Sequence, residues 1–531
     1  MTPAVEFRGL SKAFKGVIAN ADLHLQVKKG TIHAIVGENG AGKSTAMKIL
    51  YGTYQPDRGE IYLDGKLWGG RLKPWASPSD AIQCGIGMVH QHFMLGGPMT
   101  ALENILLGAE LGIESSPSTK SRWSRWTRFL PSFLRPIDYQ AARTKLDQIA
   151  IQYGMKVDLD AKIEDISVGV QQRIEILKLL YRDAGILILD EPTAVLTQQE
   201  TDELFVNLKK LCQQGKTILI ITHKLKEVMN LASRVTIFRR GRVVAERDID
   251  QTSVEELATL MVGRQVNLQG TVPPRPRLGE LALEVKDLSL GGRCPLRNLN
   301  FHVQGGEILG IAGVEGNGQT ELIQALIHPQ DHALGSGQCA IRFFGQDVSH
   351  FTTDQIRSLC VGIIPEDRHR EGLLLQKSVQ DNFLLGLQRR PPFYNKGLIS
   401  TKKLNSEVRR VMDEYDIRPR SAAVPVSKLS GGNQQKLIIA REFEFPPRFL
   451  IAAQPTRGVD VGAIESIHTR LLDARQKGCG ILLISSELDE ILALSDRILV
   501  MYEGNIVAEF QRGQVTEQVL GLRMGGASAD V

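Results

Sequence analysis

The chain has 531 residues, of which 42% are hydrophobic and 23% are charged, and its formal net charge is +5. This length exceeds what a single hydrophobic core organises, so at least two domains are expected. The small net charge argues against a protein that binds long nucleic acids, because such proteins usually carry a dense basic face.

Cysteine usage and hydropathy narrow the class of protein further. The six cysteines are scattered without a C-x-x-C pair, which favours reduced thiols over a disulfide framework or a zinc site. The first residues, MTPAVEFRGL, do not resemble a signal peptide, and no apolar run approaches the ~18 residues of a membrane-spanning helix. If the protein serves a membrane process, we expect other subunits to supply the membrane part.

A glycine-rich loop directly follows the first strongly apolar run. Residues 32–36 read IHAIV, which is typical of a buried strand, and residues 37–45 read GENGAGKST. The pattern G-x-x-x-x-G-K-[ST] between a strand and a helix surrounds a polyphosphate with main-chain amides and a helix N-terminus. We therefore predict that Lys43 reaches the terminal phosphates and that Ser44 binds Mg²⁺. The predicted phosphate-binding residues are Gly37, Glu38, Asn39, Gly40, Ala41, Gly42, Lys43, Ser44 and Thr45.

A basic segment with aromatic residues follows at residues 115–136. It contains no acidic residue, and its basic and apolar members are Lys120, Arg122, Trp123, Arg125, Trp126, Arg128, Leu130, Phe133 and Arg135. The aromatic and apolar residues recur at helical spacing, although Pro131 interrupts the pattern. Two interpretations remain open: a stretch that lies at lipid headgroups or against a membrane subunit, and a solvated loop that packs on its own domain.

A second apolar run, residues 186–189 (ILIL), ends on Asp190 and Glu191. A strand that delivers two carboxylates beside a phosphate loop suits nucleotide hydrolysis, since one can hold Mg²⁺ through water and the next can activate the attacking water. We assign Asp190 to the metal and Glu191 to the general base. The alternative is a strand end that merely meets solvent, and the preceding phosphate loop argues against it.

The second half of the chain repeats the first. Residues 166–178 (ISVGVQQRIEILK) match residues 429–441 (LSGGNQQKLIIAR), and Lys43 lies opposite Gln319. The repeat predicts two homologous domains, residues 1–262 and 280–531. Residues 263–279 between them contain VPPRPR and are expected to form an exposed linker. Each half alternates β-prone runs with helical patterns, as in α/β domains with a mostly parallel sheet.

These motifs in this order resemble the ATP-binding subunits of the ABC transporter family in their tandem form, over essentially the whole chain. The resemblance implies two α/β P-loop nucleotide-binding domains, each with a mostly parallel core sheet, a β-rich subdomain and a helical subdomain, and it implies ATP and Mg²⁺ as cofactors.

The resemblance also assigns Phe14 to adenine stacking, Gln91 to the loop that joins the nucleotide to the membrane subunit, and His223 to a switch near the γ-phosphate. Each of these three residues taken alone would more often be structural. The implied catalytic set is Lys43, Gln91, Glu191 and His223, and the implied metal set is Ser44, Gln91 and Asp190.

Residues 429–434 (LSGGNQ) resemble the signature loop of the same family, with Asn433 where glutamine is more usual. Ser430, Gly431 and Gly432 precede a predicted helix, so their free amides can hold a γ-phosphate. The family pairs its domains head to tail. The resemblance therefore implies that each ATP binds between the phosphate loop of one domain and the signature of the other.

The second repeat lacks most of the catalytic residues. Its replacements are Gln319 for the phosphate-loop lysine, Ala453 for the metal aspartate, Gln454 for the base, Ser486 for the histidine and Glu366 for the loop glutamine. The signature of the first repeat, residues 167–170, reads SVGV and has lost one of the two glycine positions to valine. Under head-to-tail pairing all of these losses fall in one site. We therefore expect one active composite site and one hydrolysed ATP per closure, with static nucleotide binding at the other site left open.

The subfamily is indicated by shorter strings. LSGGNQQK and the PEDR sequence at residues 365–368 resemble bacterial importers of simple sugars and nucleosides, and MVHQHFML at residues 88–95 looks most like the nucleoside branch. That branch implies two permease subunits, an extracytoplasmic solute-binding lipoprotein, no nucleic acid partner and a peripheral position on the cytoplasmic face of the bacterial inner membrane. A simple-sugar importer stays open. A soluble tandem ABC protein acting on ribosomes or DNA is a further alternative, disfavoured by the short linker and the degenerate site.

Overall fold

A computed structural model describes most of the chain. The described residues are 2–14, 17–70, 77–91, 93–109, 138–193, 196, 198–265, 273–274, 276–292, 294–314, 316–331, 340–395, 398–459 and 461–526. The chain divides into two compact units, Met1–Val266 and Asn267–Val531. The segment 115–136 lies outside the described residues, as does part of the predicted linker 263–279. Among the described helices, none combines the length and the apolar character needed to cross a bilayer.

The first unit alternates strands and helices along the chain. Its described strands are β1 (Val5–Phe14), β2 (Val17–Val27), β3 (Ile32–Gly37), β4 (Arg58–Leu63), β5 (Lys66–Gly70), β6 (Ile86–Val89), β7 (Ile186–Asp190), β8 (Thr217–Ile221), β9 (Arg234–Arg239) and β10 (Arg242–Asp248). Its described helices are α1 (Lys43–Leu50), α2 (Pro78–Gln83), α3 (Ala101–Leu106), α4 (Tyr139–Tyr153), α5 (Val168–Tyr181), α6 (Gln198–Gln213), α7 (Leu225–Leu231) and α8 (Val254–Val262).

A six-stranded sheet with the order β10-β9-β3-β8-β7-β6 forms the centre of the first unit. β6, β7, β8, β3 and β9 run parallel, and β10 is antiparallel at the edge. β3, β7 and β8 are buried along their whole length, which explains their continuous apolar sequences, because a parallel strand is covered on both faces. The carboxyl ends of these three strands meet at one edge of the sheet. The loops after them therefore converge there.

A second, antiparallel sheet with the order β2-β1-β4-β5 covers α1 and one face of the central sheet. Phe7, Leu10, Ile35, Met47 and Phe238 form part of the shared core and are at most 1% exposed. Burial of each such side chain stabilises the fold by about 1.5–3 kcal/mol, and it fixes the position of α1 against both sheets. α3 and α4 pack on α5 in a separate helical part. The predicted β-rich and helical subdomains are thus present.

The second unit repeats this plan. Its described strands are β11 (Leu281–Leu290), β12 (Leu296–Gln304), β13 (Ile308–Ala312), β14 (Ala340–Phe343), β15 (Gln346–Asp347), β16 (Val361–Ile364), β17 (Tyr394–Asn395), β18 (Leu398–Ile399), β19 (Phe449–Ala453), β20 (Gly480–Ser485), β21 (Arg497–Tyr502) and β22 (Asn505–Gln511). Its described helices are α9 (Gln319–Ile327), α10 (Thr353–Ser358), α11 (Val379–Leu384), α12 (Thr401–Glu414), α13 (Gly431–Phe443), α14 (Val461–Gln476), α15 (Leu488–Leu494) and α16 (Glu517–Met524).

The strand order confirms the repeat that the sequence predicts. The central sheet of the second unit has the order β22-β21-β13-β20-β19-β16, and its antiparallel sheet has the order β12-β11-β14-β15. Each strand occupies the place of its counterpart in the first unit, and β22 is again the antiparallel edge strand. A short hairpin of β17 and β18 is added. The predicted α/β class with a mostly parallel core sheet in each repeat is therefore confirmed.

Candidate nucleotide site

The loop between β3 and α1 has a backbone that only glycine fits at one position. Gly42 has a φ of 97°, and a Cβ built there would collide with the carbonyl oxygen of Ala19 on β2. α1 begins at the next residue, Lys43, so the first amides of the helix face the loop without intrahelical partners. The sequence motif thus forms the cradle that it predicts.

The side chain of Lys43 folds back against the loop between β3 and α1. Its side chain is 5% exposed, and Nζ donates hydrogen bonds to the carbonyl oxygens of Gly37 at 2.6 Å and Glu38 at 3.0 Å. The two carbonyls hold the ammonium group at the centre of the loop. This places a desolvated positive charge where the sequence predicts the terminal phosphates.

Ser44 and Asp190 meet across the site. Ser44 Oγ donates a hydrogen bond to Asp190 Oδ1 at 3.2 Å, and Asp190 is 5% exposed at the end of β7. Burial raises the pKa of Asp190 above its ordinary value, and the neighbouring charge of Glu191 adds to the rise, although Ser44 and two lysines oppose it. A buried carboxylate beside a hydroxyl oxygen offers two hard oxygen donors, which is the kind of ligand that Mg²⁺ prefers. The donor set therefore fits the predicted metal.

Glu191 is held at both of its carboxylate oxygens. His223 Nδ1 lies 3.0 Å from Oε1, and Gln91 Nε2 donates to Oε2 at 3.1 Å. Burial acts to raise the pKa of Glu191, but the hydrogen bond and charge of His223 and the charge of Lys43 outweigh it, and the net shift is downward. The structure thus joins Gln91, Glu191 and His223 in one cluster and keeps the carboxyl group ionised at neutral pH.

The backbone of Glu191 adopts a left-handed conformation with a φ of 48°. Such a conformation costs about 1–2 kcal/mol for a residue with a Cβ. The amide of Glu191 donates to the carbonyl oxygen of Ile221 at the end of β8 at 2.8 Å, which fixes the turn in place. Gln454 of the second unit has nearly the same φ, 46°. The turn is therefore a property of the fold and not of catalysis.

Phe14 lies at the end of β1 in the antiparallel sheet. Its ring is 38% exposed, and its centroid is 5.1 Å from that of Tyr54 in an edge-to-face arrangement. Lys12 Nζ lies 5.4 Å from the Phe14 ring. An exposed aromatic face of this kind can stack on a planar base. Tyr54, which the sequence analysis missed, supports that ring from the edge.

Asn20 is a second residue that the sequence analysis missed. It is fully buried on β2, and its Nδ2 donates to the carbonyl oxygen of Gly42 at 3.0 Å. The register of the antiparallel sheet pairs Asn20 with Lys12 on β1, two residues before Phe14. The sequence did carry one signal for Asn20, because its side-chain amide stands among the apolar residues at the start of β2.

The second unit keeps the scaffold of this site and changes its side chains. Gln319 Nε2 donates to the carbonyl oxygen of Gly313 at 3.3 Å, as Lys43 does to Gly37. The amide of Gln454 donates to the carbonyl oxygen of Ile484 at 2.7 Å, and Gln454 Oε1 accepts from Ser486 Oγ at 3.2 Å. Neutral amide and hydroxyl groups therefore replace the charged cluster.

Glu366 of the second unit contacts a different partner from its counterpart Gln91. Thr320 Oγ1 donates to Glu366 Oε2 at 2.9 Å, next to the start of α9. Ala453 ends β19 at the position of Asp190 and supplies no metal ligand from its side chain. The second unit thus has neither the predicted base nor the predicted metal aspartate at the strand end.

The predicted signature residues Ser430, Gly431 and Gly432 lie in the second unit, at the start of α13. Ser430 Oγ caps the helix by accepting from the amide of Asn433 at 3.4 Å and from Asn433 Nδ2 at 2.8 Å. A Cβ at Gly431 would lie 2.8 Å from Arg368 Nη2, so this glycine admits the close approach of that guanidinium. Joint action of these residues with Lys43 stays a prediction.

Comparison with known proteins gives the same family for both units. The family model described as "ABC transporter" matches residues 21–194 and 296–457. "Nucleoside import ATP-binding protein NupA" of Lactococcus lactis subsp. cremoris (strain MG1363) is 43% identical over 530 residues, covering 99% of this chain and 98% of that protein. "Guanosine import ATP-binding protein NupO" of Bacillus subtilis (strain 168) is 44% identical over 532 residues, with coverages of 99% and 98%. "Glucose import ATP-binding protein TsgD13" of Haloferax volcanii is 41% identical over 542 residues, with coverages of 99% and 96%.

Proposed function

Because the chain belongs to the ABC transporter family, we propose that it is the ATP-hydrolysing subunit that powers import of a nucleoside through membrane permease partners. The observation that carries the hydrolytic part is the cluster of Gln91, Glu191 and His223 beside the Ser44–Asp190 pair. The full-length similarity to nucleoside and guanosine importers carries the choice of solute.

In the proposed mechanism, some residues of the first unit bind ATP and Mg²⁺, and others take part in proton transfer. Bound ATP with Mg²⁺ supplies the phosphoanhydride bond and the charge neutralisation that phosphoryl transfer needs. Lys43 donates from Nζ to the terminal phosphates and exchanges its bonds to the loop carbonyls for them. Ser44, Asp190 and Gln91 are the residues that would hold the metal, which would neutralise charge on the phosphates. Phe14 stacks on the base.

Glu191 acts as the general base in this proposal. A carboxylate oxygen of Glu191 accepts a proton from the attacking water, and His223 and Gln91 orient the carboxylate. Each of these two residues contacts a different carboxylate oxygen of Glu191, and each oxygen keeps a second lone pair that can accept the proton. The two contacts therefore hold the carboxylate in position for this step.

We further propose that turnover is confined to the site that contains the phosphate loop and Glu191 of the first unit. A general base contributes about 10²–10⁴-fold to such a reaction, and Gln454 at the equivalent position cannot accept the proton. The other replacements in the second unit add to the loss without simple additivity. The expected stoichiometry is one ATP hydrolysed per chain in each cycle.

The proposed partners follow from the import role. We propose two permease subunits, an extracytoplasmic solute-binding lipoprotein, no nucleic acid partner, and a peripheral position on the cytoplasmic face of the bacterial inner membrane. A simple-sugar importer is the second candidate, and the 41% identity to a glucose import protein is the observation that favours it.

Uptake measurements in cells that lack this chain distinguish the two candidates. Uptake of radiolabelled guanosine is expected to return with the wild-type chain and not with Glu191→Gln, while glucose and ribose uptake stays the same in both. Restoration of sugar uptake alone would favour the sugar importer. Sedimentation of the chain with ribosomes, and not with hydrophobic subunits, would contradict both.

A further inference from the structure

We propose that Asn20 is a positioning residue for the phosphate-binding loop and that it acts through the peptide group between Gly42 and Lys43. The proposal rests on the proposed ATP-binding role of that loop. Asn20 belongs to no nucleotide-binding motif of the sequence, and it lies on β2 of the antiparallel sheet, outside the strand-loop-helix that carries the motif.

Two donors converge on the carbonyl oxygen of Gly42. Asn20 Nδ2 donates to it at 3.0 Å, and the amide of Ala46, one turn along α1, donates to it at 3.0 Å. Asn20 is fully buried, so no water competes for this bond. The orientation of the Gly42 carbonyl is therefore fixed from two sides.

The carbonyl group of Gly42 and the amide of Lys43 belong to the same peptide unit. A trans peptide is planar, and its C=O and N–H point in opposite directions. A bond that pins the oxygen toward β2 and the helix therefore aims the Lys43 amide away from them, toward the open end of α1. That amide is among the first four of the helix, which have no intrahelical acceptor and serve anion binding.

Packing alone does not account for an amide at this position. Asn20 Oδ1 is buried without a hydrogen-bond partner among the described residues. An unsatisfied buried amide oxygen destabilises a fold, so an apolar side chain would be preferred if the position served packing only. The bond from Asn20 Nδ2 to the Gly42 carbonyl oxygen is the contact that offsets this cost.

The second unit supplies the matched comparison inside the same chain. In the first unit, the residue after Asn20 donates to a glycine carbonyl and that glycine donates to the phosphate loop: Ala21 N to Gly241 O at 2.7 Å, and Gly241 N to Ala41 O at 3.0 Å. In the second unit the same pair of bonds is Arg297 N to Gly504 O at 3.0 Å and Gly504 N to Asn317 O at 3.0 Å. Arg297 thus corresponds to Ala21, so Leu296 occupies the position of Asn20. Leu296 is 2% exposed, and its Cδ2 would lie 2.9 Å from a Cβ on Gly318. The unit without the catalytic residues thus has an apolar side chain here. It also shows that the fold accommodates leucine.

The test compares Asn20→Leu with wild type in the full-length chain. Affinity for MgADP is measured by calorimetry, and KM and kcat for ATP are measured with thermal melting of the same samples. Wild-type binding and turnover test the proposed function, whereas the ratio of variant to wild type tests this inference. We expect Asn20→Leu to weaken MgADP binding and to raise KM by about 3- to 10-fold, which is the range expected for loss of one buried hydrogen bond.

Four outcomes decide between a positioning role and a packing role for Asn20. A KM that rises more than kcat falls, with an unchanged or higher melting temperature, supports the positioning role. Unchanged MgADP affinity overturns it. A lower melting temperature with fewer binding sites of normal affinity also overturns it, because this result would mean that Asn20 serves only the packing of the fold. The reciprocal Leu296→Asn serves as the control, and it is expected to leave KM unchanged. An equal rise in KM in that control would also overturn the assignment.

Discussion

Glu191 and His223 meet at 3.0 Å, between Oε1 of the carboxylate and Nδ1 of the imidazole. This contact, with that of Gln91 on the other oxygen, keeps the proposed base ionised and fixes its orientation. Each oxygen retains a second lone pair for the proton of the attacking water.

Glu191→Gln is expected to lower ATP hydrolysis by about 10²–10⁴-fold, since glutamine preserves the shape of the side chain but accepts no proton from water. MgADP affinity should stay within a factor of about three, because the hydrogen bonds described for the Glu191 side chain go to Gln91 and His223 and not to the phosphate loop. Phosphate release at saturating ATP measures the first effect, and calorimetry measures the second. Gln454→Ala is the matched control and should keep the wild-type rate. Full turnover by Glu191→Gln would refute the assignment of the base.

His223→Ala is expected to move the acidic limb of the pH profile of kcat/KM to higher pH. Burial raises the pKa of Glu191, and His223 supplies the largest of the opposing effects. Its removal therefore leaves desolvation dominant and raises the pKa. A carboxylate with a depressed pKa is ionised at all pH values above it, so wild-type activity should fall only as the pH drops through that lowered value. An acidic limb that stays in place in the variant would show that His223 does not set this ionisation.

The same depressed pKa makes a prediction for stability. A carboxylate whose pKa is lower in the folded than in the unfolded state stabilises the fold above its unfolded pKa, and that stabilisation is lost as the pH falls through the folded value. Wild type should therefore lose part of its free energy of unfolding in acid that Glu191→Gln does not lose. Urea titrations of both proteins at neutral and acidic pH measure the difference. Parallel curves for the two proteins would contradict the pKa shift.

Ser44→Ala is expected to raise the Mg²⁺ concentration for half-maximal hydrolysis at least about tenfold. The change removes one proposed oxygen ligand and the hydrogen bond that helps to keep Asp190 ionised. Titration of Mg²⁺ at fixed ATP provides the measurement. Thr320→Ala changes the equivalent hydroxyl in the second unit and should leave the titration unchanged. A shift in that control of the same size would assign the metal requirement to both units.

Gly42→Ala and Gly40→Ala form a matched pair that tests the close approach of β2 to the phosphate loop. Both glycines have positive φ values, 97° and 82°, so both alanines carry a conformational cost of about 1–2 kcal/mol. Only Gly42 faces the carbonyl oxygen of Ala19, whereas nothing lies within 4 Å of a Cβ at Gly40. We expect Gly42→Ala to abolish MgADP binding and Gly40→Ala to weaken it partially. Equal losses would show that conformation alone, and not the contact with β2, limits the loop.

The sequence predicted those parts of the site that are written in local patterns. The phosphate loop and the strand ending on Asp190 and Glu191 each occupy one short segment, and the repeat was visible because such segments recur in the second half. Asn20 and Tyr54 were missed because their contacts depend on how the antiparallel sheet registers and packs, which no short segment encodes. The pairing of Glu366 with Thr320 was missed for the same reason: it joins a loop to a helix across the sheet edge.

The loop after β19 has the turn of the loop after β7, with Gln454 N bonded to Ile484 O as Glu191 N is to Ile221 O. At this position the two halves therefore share one backbone turn and differ in side-chain chemistry. Gln319→Lys, Ala453→Asp and Gln454→Glu would restore three of the five replaced groups of the second unit, whereas Ser486 and Glu366 would still differ from His223 and Gln91.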